Sequence, residues 1–409
     1  ESTRRAEFMD FFKLATFFFM SAGIEPFDVE DQDTPRSLHS WLIFLVSFIN
    51  LNADGMFMFS YMLVSLYRGE NFVEAIMTGS YVGYVFISVI KMLYILSKRK
   101  QLSRFMNRLR QIYPKTYGEQ LDYSLPRYLK QCTRVAIVFS VLNVLLIWTY
   151  NLFAAAQYLI ADRWLGVREV GKQLSYFMWI PWDYEDHWSY YALYLSSCLA
   201  GHTSTAGQLA MDLLLIATAT QIMMHYDYLA KTIEGYVVKG GHAEGANAQK
   251  CDEDMKFLGS VVEYHEKILS LSQLMNDVFG VPLLLNFMTS SLIICFLGFN
   301  MTIGVSADMI FKLFLFLFYS TAQVCLICCY GEELSRVVRS ENIAQSVYNQ
   351  NWYNAEVRYK KMLILIAERA QKTASLQATG FLLISRRTMT DIMQVSYKFF
   401  ALLRTMYAE

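Results

Sequence analysis

The fold class is decided by two apolar stretches, VFGVPLLLNFMTSSLIICFLGFNM at residues 278–301 and IFKLFLFLFYSTAQVCLICCY at residues 310–330. Each is about as long as the roughly 20 apolar residues that an α-helix needs to cross the hydrocarbon core of a bilayer. The first contains no charged residue, and the second contains only Lys312. Because a short turn separates them, the pair predicts two consecutive membrane-spanning helices.

Four more stretches of this kind precede the pair, at residues 38–67, 72–97, 135–160 and 188–224. A seventh stretch, at residues 389–406, contains Asp391 and Lys398, so its hydropathy is weaker than that of the other six. The chain of 409 residues is 55% hydrophobic and 18% charged, against about 25% charged residues in a typical soluble domain. We therefore predict an all-α, polytopic membrane protein with seven transmembrane helices.

The distribution of basic residues sets the expected orientation, because cytoplasmic loops collect Lys and Arg. The loop after the second span, residues 98–130, is the most basic part of the chain. This bias places the N-terminus in the cytoplasm and, after seven spans, the C-terminus outside the cell. A G-protein-coupled receptor has the opposite orientation. Acidic and basic residues number 36 each, which argues against a nucleic-acid-binding surface.

Signatures of enzymes are missing from the sequence. It has no Gly-rich phosphate loop, no His-Glu-x-x-His and no Gly-x-Ser-x-Gly, and its six histidines are scattered. Cys325, Cys328 and Cys329 share one helical face, but no second Cys or His pair completes a tetrahedral metal site. We predict no enzyme activity, no metal and no cofactor. The one glycosylation sequon begins at Asn300, in a turn so close to the bilayer that its modification stays open.

Several polar residues lie inside the predicted spans, namely Asn50, Asn52, Asp54, Lys91 and Asp212. They are either relay groups of a secondary transporter or side chains that bond one helix to another or snorkel to the interface. The chain has no visible internal repeat, although paired repeats are usual in transporters. This pattern leaves a transporter as an alternative and favours helix-to-helix bonding.

The C-terminal fifth carries an ordered set of short motifs. They are YGEEL at residues 330–334, NWY at 351–353, RYKK at 358–361 and VSYKFFALL at 395–403. Together they resemble the C-terminal signature of the insect odorant receptor family. Lys398 departs from that signature, since the family often has Ser at this position. Over the first 320 residues the resemblance extends only to the number of spans and the lengths of the loops.

The resemblance implies an odorant-gated, non-selective cation channel in the dendritic plasma membrane of olfactory sensory neurons. Such channels are heterotetramers of tuning subunits with the shared co-receptor Orco, and their ligands are small volatile molecules. The loop at residues 226–273 is modest in length, which resembles a tuning subunit rather than Orco. The expected partners are therefore a volatile ligand, Orco and membrane lipid. A G-protein-coupled receptor, a transporter and a gustatory-type receptor channel remain as alternatives.

The resemblance also implies a division of the chain. Residues 1–330 would hold an N-terminal interfacial or re-entrant segment and six spans with the ligand pocket. Residues 331–409 would hold a cytoplasmic anchor helix and a pore-lining seventh span. The apolar run at 14–24 is followed at once by the acidic stretch 25–33, which favours an interfacial helix over a signal peptide.

The seventh span carries polar and ionisable side chains at steps of three or four residues, which places them on one helical face. Such groups are costly against lipid and are satisfied by a water-lined pore. A ring of apolar side chains near the outer end can close such a pore by dewetting. The alternative is that Asp391 and Lys398 pair within a packed bundle. The predicted pore residues are Thr388, Asp391, Val395, Lys398 and Thr405, with Leu402 and Met406 as the gate.

The ligand site is expected in the outer halves of spans two, three, four and six. An aromatic wall with few polar groups suits a small volatile molecule, since burial and ring contacts supply most of the affinity. The alternative for each residue is packing against lipid or a neighbouring helix. The predicted ligand-binding residues are Ser80, Tyr81, Tyr84, Trp148, Thr149, Phe153, Tyr191, Tyr194, Cys198, Phe314, Phe318 and Tyr319.

Overall fold

The structure is a computed structural model that describes residues 5–28, 38–69, 72–164, 172–184, 187–240, 248–302, 307–338, 341–371, 376–380 and 382–408. Nearly all of these residues are helical. The α-helices are Lys13–Ser21 (α1), Leu38–Arg68 (α2), Phe72–Ser97 (α3), Arg99–Gln111 (α4), Tyr117–Asp122 (α5), Leu125–Ala156 (α6), Ser189–Gly235 (α7), Ala248–Thr302 (α8), Ala307–Val338 (α9), Glu341–Asn349 (α10), Val357–Gln371 (α11) and Arg386–Ala408 (α12). A short antiparallel hairpin pairs Gln377–Ala378 (β1) with Leu382–Leu383 (β2).

Six of these helices, α2, α3 and α6 to α9, are long and apolar enough to cross a membrane in the part of the chain that the structure describes. The prediction of a helical, multi-pass membrane fold is confirmed. The seventh predicted span forms most of α12, which packs against α8 and α9. The orientation deduced from the basic loops stays a prediction.

The predicted loop at residues 226–273 is mostly helix, because α7 continues to Gly235 and α8 already begins at Ala248. At 1.5 Å per residue, the 47 residues of α7 extend about 70 Å, more than twice the roughly 30 Å hydrocarbon core. No proline interrupts α7, so the helix propagates past the point where its hydropathy falls. Hydropathy marked the membrane crossing of these helices and not their ends.

Helix α7 forms the centre of the bundle and contacts α1, α2, α3, α6, α8, α9 and α10. Its most apolar 18-residue window is entirely buried. Small residues make this possible, as at Gly207, where an added Cβ would lie 2.4 Å from Cε of Met92 on α3. Close backbone approach through small residues is the usual packing mode of membrane helices. The cavity described below therefore has one wall fixed by α7.

The N-terminal segment forms the predicted helix at residues 14–24 as α1, which contacts α7 and buries Phe18 and Phe19. The segment that follows α1 is tied to the basic loop by a 2.8 Å ion pair between Asp28 and Arg99. The division of the chain at residue 330 stays a prediction, and α10 and α12 both pack against helices from before it.

The hairpin formed by β1 and β2 is an exception to the all-α prediction. Its turn places Thr379 and Gly380 at positive φ of 55° and 73°. The hairpin leads into α12 and packs on two glycines. A Cβ on Gly331 would lie 2.6 Å from Cγ2 of Ile384, and one on Gly280 would lie 2.9 Å from the backbone nitrogen of Thr379. Gly331, the glycine of the YGEEL motif, thus leaves the space that Ile384 fills directly before α12.

Candidate ligand cavity and pore helix

A cavity of about 60 Å³ lies between α2, α3, α6, α7 and α9, beneath the segment 172–184 that links α6 to α7. Six aromatic rings and several aliphatic side chains make up most of its wall. It is lined by Asp54, Met58, Tyr81, Tyr84, Val85, Leu146, Ile147, Tyr150, Tyr176, Ala200, Gly201, Ser204, Thr205, Phe316 and Tyr319.

Tyr81 is the centre of the aromatic wall. Its ring meets those of Tyr150, Tyr176 and Phe316 at centroid separations of 5.6, 5.7 and 5.6 Å. The first two contacts are edge-to-face, with interplanar angles of 70° and 75°. Rings at this separation attract one another through complementary edges and faces and keep fixed orientations. The wall therefore presents a shaped apolar surface to a ligand.

Hydrogen bonds engage the hydroxyl groups of three tyrosines on this wall, Tyr81, Tyr150 and Tyr176. The Tyr150 hydroxyl donates to the Tyr81 hydroxyl. The Tyr176 hydroxyl donates to Oδ1 of buried Asn151 over 2.9 Å, and Nδ2 of Asn151 donates to the carbonyl of Cys198 over 3.2 Å. Asn151 therefore holds Tyr176, which comes from the linking segment, against α6 and α7. The segment therefore contributes one wall of the cavity through Tyr176.

Three polar groups on the cavity wall have no hydrogen-bond partner among the described residues. One is the carboxyl of Asp54 on α2, a residue that is 5% exposed. The others are the hydroxyls of Ser204 on α7 and Tyr319 on α9; the Ser204 carbonyl does accept a 2.8 Å hydrogen bond from Ser88. All three residues line the cavity.

A second group of polar residues lies further along α7, toward its C-terminal end. Lys91 on α3 and Asp212 on α7, 1% and 2% exposed, form an ion pair of 3.6 Å. Nδ2 of Asn286 on α8 and Nε2 of Gln323 on α9 donate to the two oxygens of Asp212 over 3.1 and 2.5 Å. We call these four residues the Asp212 cluster. The Asp212 cluster joins the four helices α3, α7, α8 and α9. Lys91 and Asp212 therefore bond one helix to another, which is the role that the sequence pattern favoured.

The pore prediction concerns α12, which has one buried and one exposed face. Thr388, Ile392 and Ser396 are buried, and the Ser396 hydroxyl lies 3.1 Å from that of Ser291 on α8. The exposed face carries Asp391, Val395, Lys398, Leu402 and Thr405. Thr388 is buried and therefore does not lie on the exposed face with the other predicted pore residues. Its hydroxyl donates to the carbonyl of Leu383 over 2.5 Å. The side chain of Met406 lies outside the described residues.

The structure brings three of the twelve predicted ligand residues together around the cavity, namely Tyr81, Tyr84 and Tyr319. Tyr194 and Cys198 lie behind the wall, where both bond to Asn151. Ser80 is buried and donates to its own helix, and Phe153 packs on Phe311 with ring centroids 6.0 Å apart. The others are exposed on the outside of the bundle: Trp148, Thr149, Tyr191, Phe314 and Phe318.

Sequence reasoning missed several wall residues, among them Asp54, Tyr150, Tyr176 and Phe316. Tyr150 follows directly after two predicted residues, and Phe316 lies between two others. The difference between the predicted residues and the cavity wall is one of helical phase, because neighbours on a helix point about 100° apart. Tyr176 had no usable signal, since it lies in a linking segment. Asp54 did have one, as an acid within an apolar span.

Two smaller expectations concern modification and metals. Asn300 is fully buried and its side-chain amide has no hydrogen-bond partner among the described residues, so its packing opposes glycosylation. Sγ of Cys325 and Sγ of Cys329 lie 4.0 Å apart on α9. Within the described ranges, no group of three or more His, Cys, Asp or Glu side chains is placed to hold a metal ion.

Comparisons with known proteins agree with the C-terminal motifs. A family model described as "7tm Odorant receptor" matches residues 71–397. Odorant receptor 85b of Drosophila melanogaster is 45% identical over 97% of this chain and 99% of its own, and odorant receptor 85c of the same species is 44% identical over 98% and 100%. A solved structure of the insect olfactory receptor OR5 from Machilis hrabei with eugenol superposes with a TM-score of 0.77 at 15% identity and 98% coverage of both chains. With family match, relatives and fold in agreement, this chain belongs to the insect odorant receptor family.

Proposed function

We propose that this chain is a tuning subunit that binds a small volatile molecule and gates a non-selective cation channel together with Orco. The proposal places it in the dendritic plasma membrane of olfactory sensory neurons. The observation that carries it is the aromatic cavity between α2, α3, α6, α7 and α9 in a member of the odorant receptor family. The eugenol complex of the Machilis hrabei receptor supports a small-molecule ligand for this fold.

The size of the cavity suggests how ligand binding could be coupled to gating. Its volume of about 60 Å³ is well below the roughly 150 Å³ of a cavity that holds benzene. A volatile ligand therefore fits only if the surrounding helices or rings move apart. A ligand shifts an equilibrium only by its difference in affinity between two states, and here it binds the expanded state better. Expansion of the cavity is then the change that is coupled to gating.

The pore in this proposal is lined by the exposed face of α12. Leu402 is 54% exposed in the single subunit, as expected for a side chain that meets its equivalents around a central axis. A ring of such side chains, with Met406 one turn further, closes the pore by excluding water. Lys398 lies on the same exposed face, and subunits without a basic residue there reduce its repulsion of cations. Opening moves the ring outward.

The connection between cavity and pore runs through α8. This helix contributes Asn286 to the Asp212 cluster and, a little more than one turn later, Ser291 to the contact with Ser396 on α12. Tyr84 and Tyr319, which line the cavity, lie on the same two helices as Lys91 and Gln323 of the cluster. Separation of α3 and α9 by a ligand therefore strains the cluster, and α8 carries that strain to α12.

The test is whole-cell current in cells that express this chain with Orco, with Orco alone and with this chain alone, during perfusion of a panel of volatiles. We expect fast inward cation current that depends on the volatile only when both chains are present. Surface labelling confirms that the chain reaches the plasma membrane. Absence of any volatile-evoked current despite surface expression would refute the proposal, and current from the chain alone would refute the need for Orco.

A further inference from the structure

The carboxyl of Asp54 is the least explained group in the cavity. It belongs to α2, a helix that the sequence did not assign to the ligand site, and it is 95% buried, being 5% exposed. Among the described residues it has no hydrogen bond and no ion pair, and no Lys or Arg lines the cavity. Buried polar side chains are nearly always paired, so a carboxyl without a partner inside a binding cavity needs an explanation.

The surroundings of Asp54 leave few other polar groups for a ligand. The hydroxyls of Tyr81 and Tyr150 bond to each other, and that of Tyr176 bonds to Asn151. Ser204 and Tyr319 have hydroxyls without a partner among the described residues. The rest of the wall consists of rings and aliphatic side chains, with the hydroxyls of Tyr84 and Thr205 as its remaining polar groups. A molecule that enters this cavity therefore meets apolar surface on most sides and the carboxyl of Asp54 as its strongest hydrogen-bonding group.

We propose that Asp54 selects ligands by an uncharged oxygen, so that the preferred volatiles are alcohols and ketones rather than hydrocarbons of the same shape. A carboxyl accepts a hydrogen bond from a ligand hydroxyl, and in its protonated form it donates one to a carbonyl oxygen. An ionised carboxylate without a cation is strongly disfavoured in an apolar site, which favours the protonated form. This inference rests on the proposed function, because it names the ligand class of the same cavity.

An amine ligand is the main competitor and is disfavoured by desolvation. A protonated amine would form an ion pair with Asp54, but both charges would have to leave water, and buried ion pairs often fail to recover that cost. The desolvation cost of an uncharged alcohol or ketone is much smaller, and its hydrogen bond to Asp54 replaces one that it made with water. The preferred ligand is therefore a neutral, oxygenated volatile.

The test compares wild type, Asp54→Leu and Asp54→Asn, each expressed with Orco, against an alkane, an alcohol, a ketone and a primary amine of equal chain length. In wild type we expect the alcohol and the ketone to act at lower concentration than the alkane. Asp54→Leu should raise the half-maximal concentration of both by about tenfold and leave the alkane unchanged. Asp54→Asn keeps a hydrogen-bonding amide and should stay within about threefold of wild type.

Met58→Leu is the matched control, because Met58 lies one turn from Asp54 on α2, lines the same cavity and is replaced at similar volume. It should shift all ligands alike. Equal shifts for the alkane and the alcohol in Asp54→Leu would overturn the inference, as would a wild-type preference for the amine. Surface labelling corrects for expression, and the wild-type ranking stands even if Asp54→Leu does not fold. If wild type answers to no volatile at all, the proposed function itself has failed.

Discussion

The Asp212 cluster provides the sharpest test of how the membrane helices are held together. Lys91 is fully buried, and among the described residues Asp212 is its only partner. Asp212→Asn therefore leaves an ammonium group without a counter-charge in the bundle. Lys91→Met removes the ammonium but leaves Asp212 with two amide donors, from Asn286 and Gln323. The double variant removes both charges and keeps one acceptor for the amides.

The expected losses in the free energy of unfolding follow from this difference in partners. Removing one member of a buried ion pair lowers the free energy of unfolding by about 3–5 kcal/mol, and we expect the loss for Asp212→Asn to fall in that range. Lys91→Met should cost about 2 kcal/mol, because hydrogen bonds to the remaining carboxylate are worth about 1.5–3 kcal/mol each and persist. The double variant should lose about 2 kcal/mol, less than Asp212→Asn alone. The coupling energy is then about 3–5 kcal/mol, well above the roughly 0.6 kcal/mol average for polar contacts between membrane helices.

The assay is equilibrium unfolding of the purified subunit in mixed micelles titrated with SDS, carried out for wild type, both single variants and the double variant. A double-mutant cycle isolates the coupling between the two positions. The reasoning would be refuted if the two single losses added up to the loss of the double variant within about 0.5 kcal/mol. In that case Lys91 and Asp212 would be independent buried polar residues and the 3.6 Å pair would contribute nothing.

Three further predictions concern the gate, the hairpin and the cavity. Leu402→Ala should raise the ligand-free current of the assembled channel, because it widens the apolar ring without altering a buried contact; an unchanged resting current would contradict its role as gate. Gly331→Ala should lower surface abundance, because the added methyl group clashes with the hairpin. Gly259→Ala, at an open helix position, should raise the stability by about 1 kcal/mol and leave the surface abundance equal or higher. Ile147→Trp should fill the cavity and weaken the response to volatiles at least tenfold, whereas Leu145→Trp, on the exposed side of α6, should not. Equal responses from those two variants would show that the cavity is not the ligand site.

The spans could be predicted from sequence because one physical requirement, an apolar length matched to the bilayer, determines them. The ends of α7 and α8 could not, because outside the membrane the same helices continue on an amphipathic pattern that hydropathy does not register. The hairpin at 376–384 was equally hidden, since a short apolar piece fits either a strand or a buried turn of helix.

Predicting the cavity residues needed the rotational phase of each helix. With aromatic residues at 15% of the chain, every helical face offers a candidate ring, and composition alone does not choose between Trp148 and Tyr150. Tyr81, Tyr84 and Tyr319 were identified, and Asp54 was recorded only as a polar residue within a span. What settles its position is the packing of α2 against α3 and α7, a long-range contact that no local pattern encodes.

The unbroken length of α7 also limits how receptors of this design can diverge. Cavity residues such as Ser204, the ion-paired Asp212 and the contacts with α10 all lie on one continuous helix. A single inserted or deleted residue would turn everything beyond it by about 100° relative to the rest. It would therefore misalign two sites at once. Changes in ligand preference along this helix must arise by substitution at constant length.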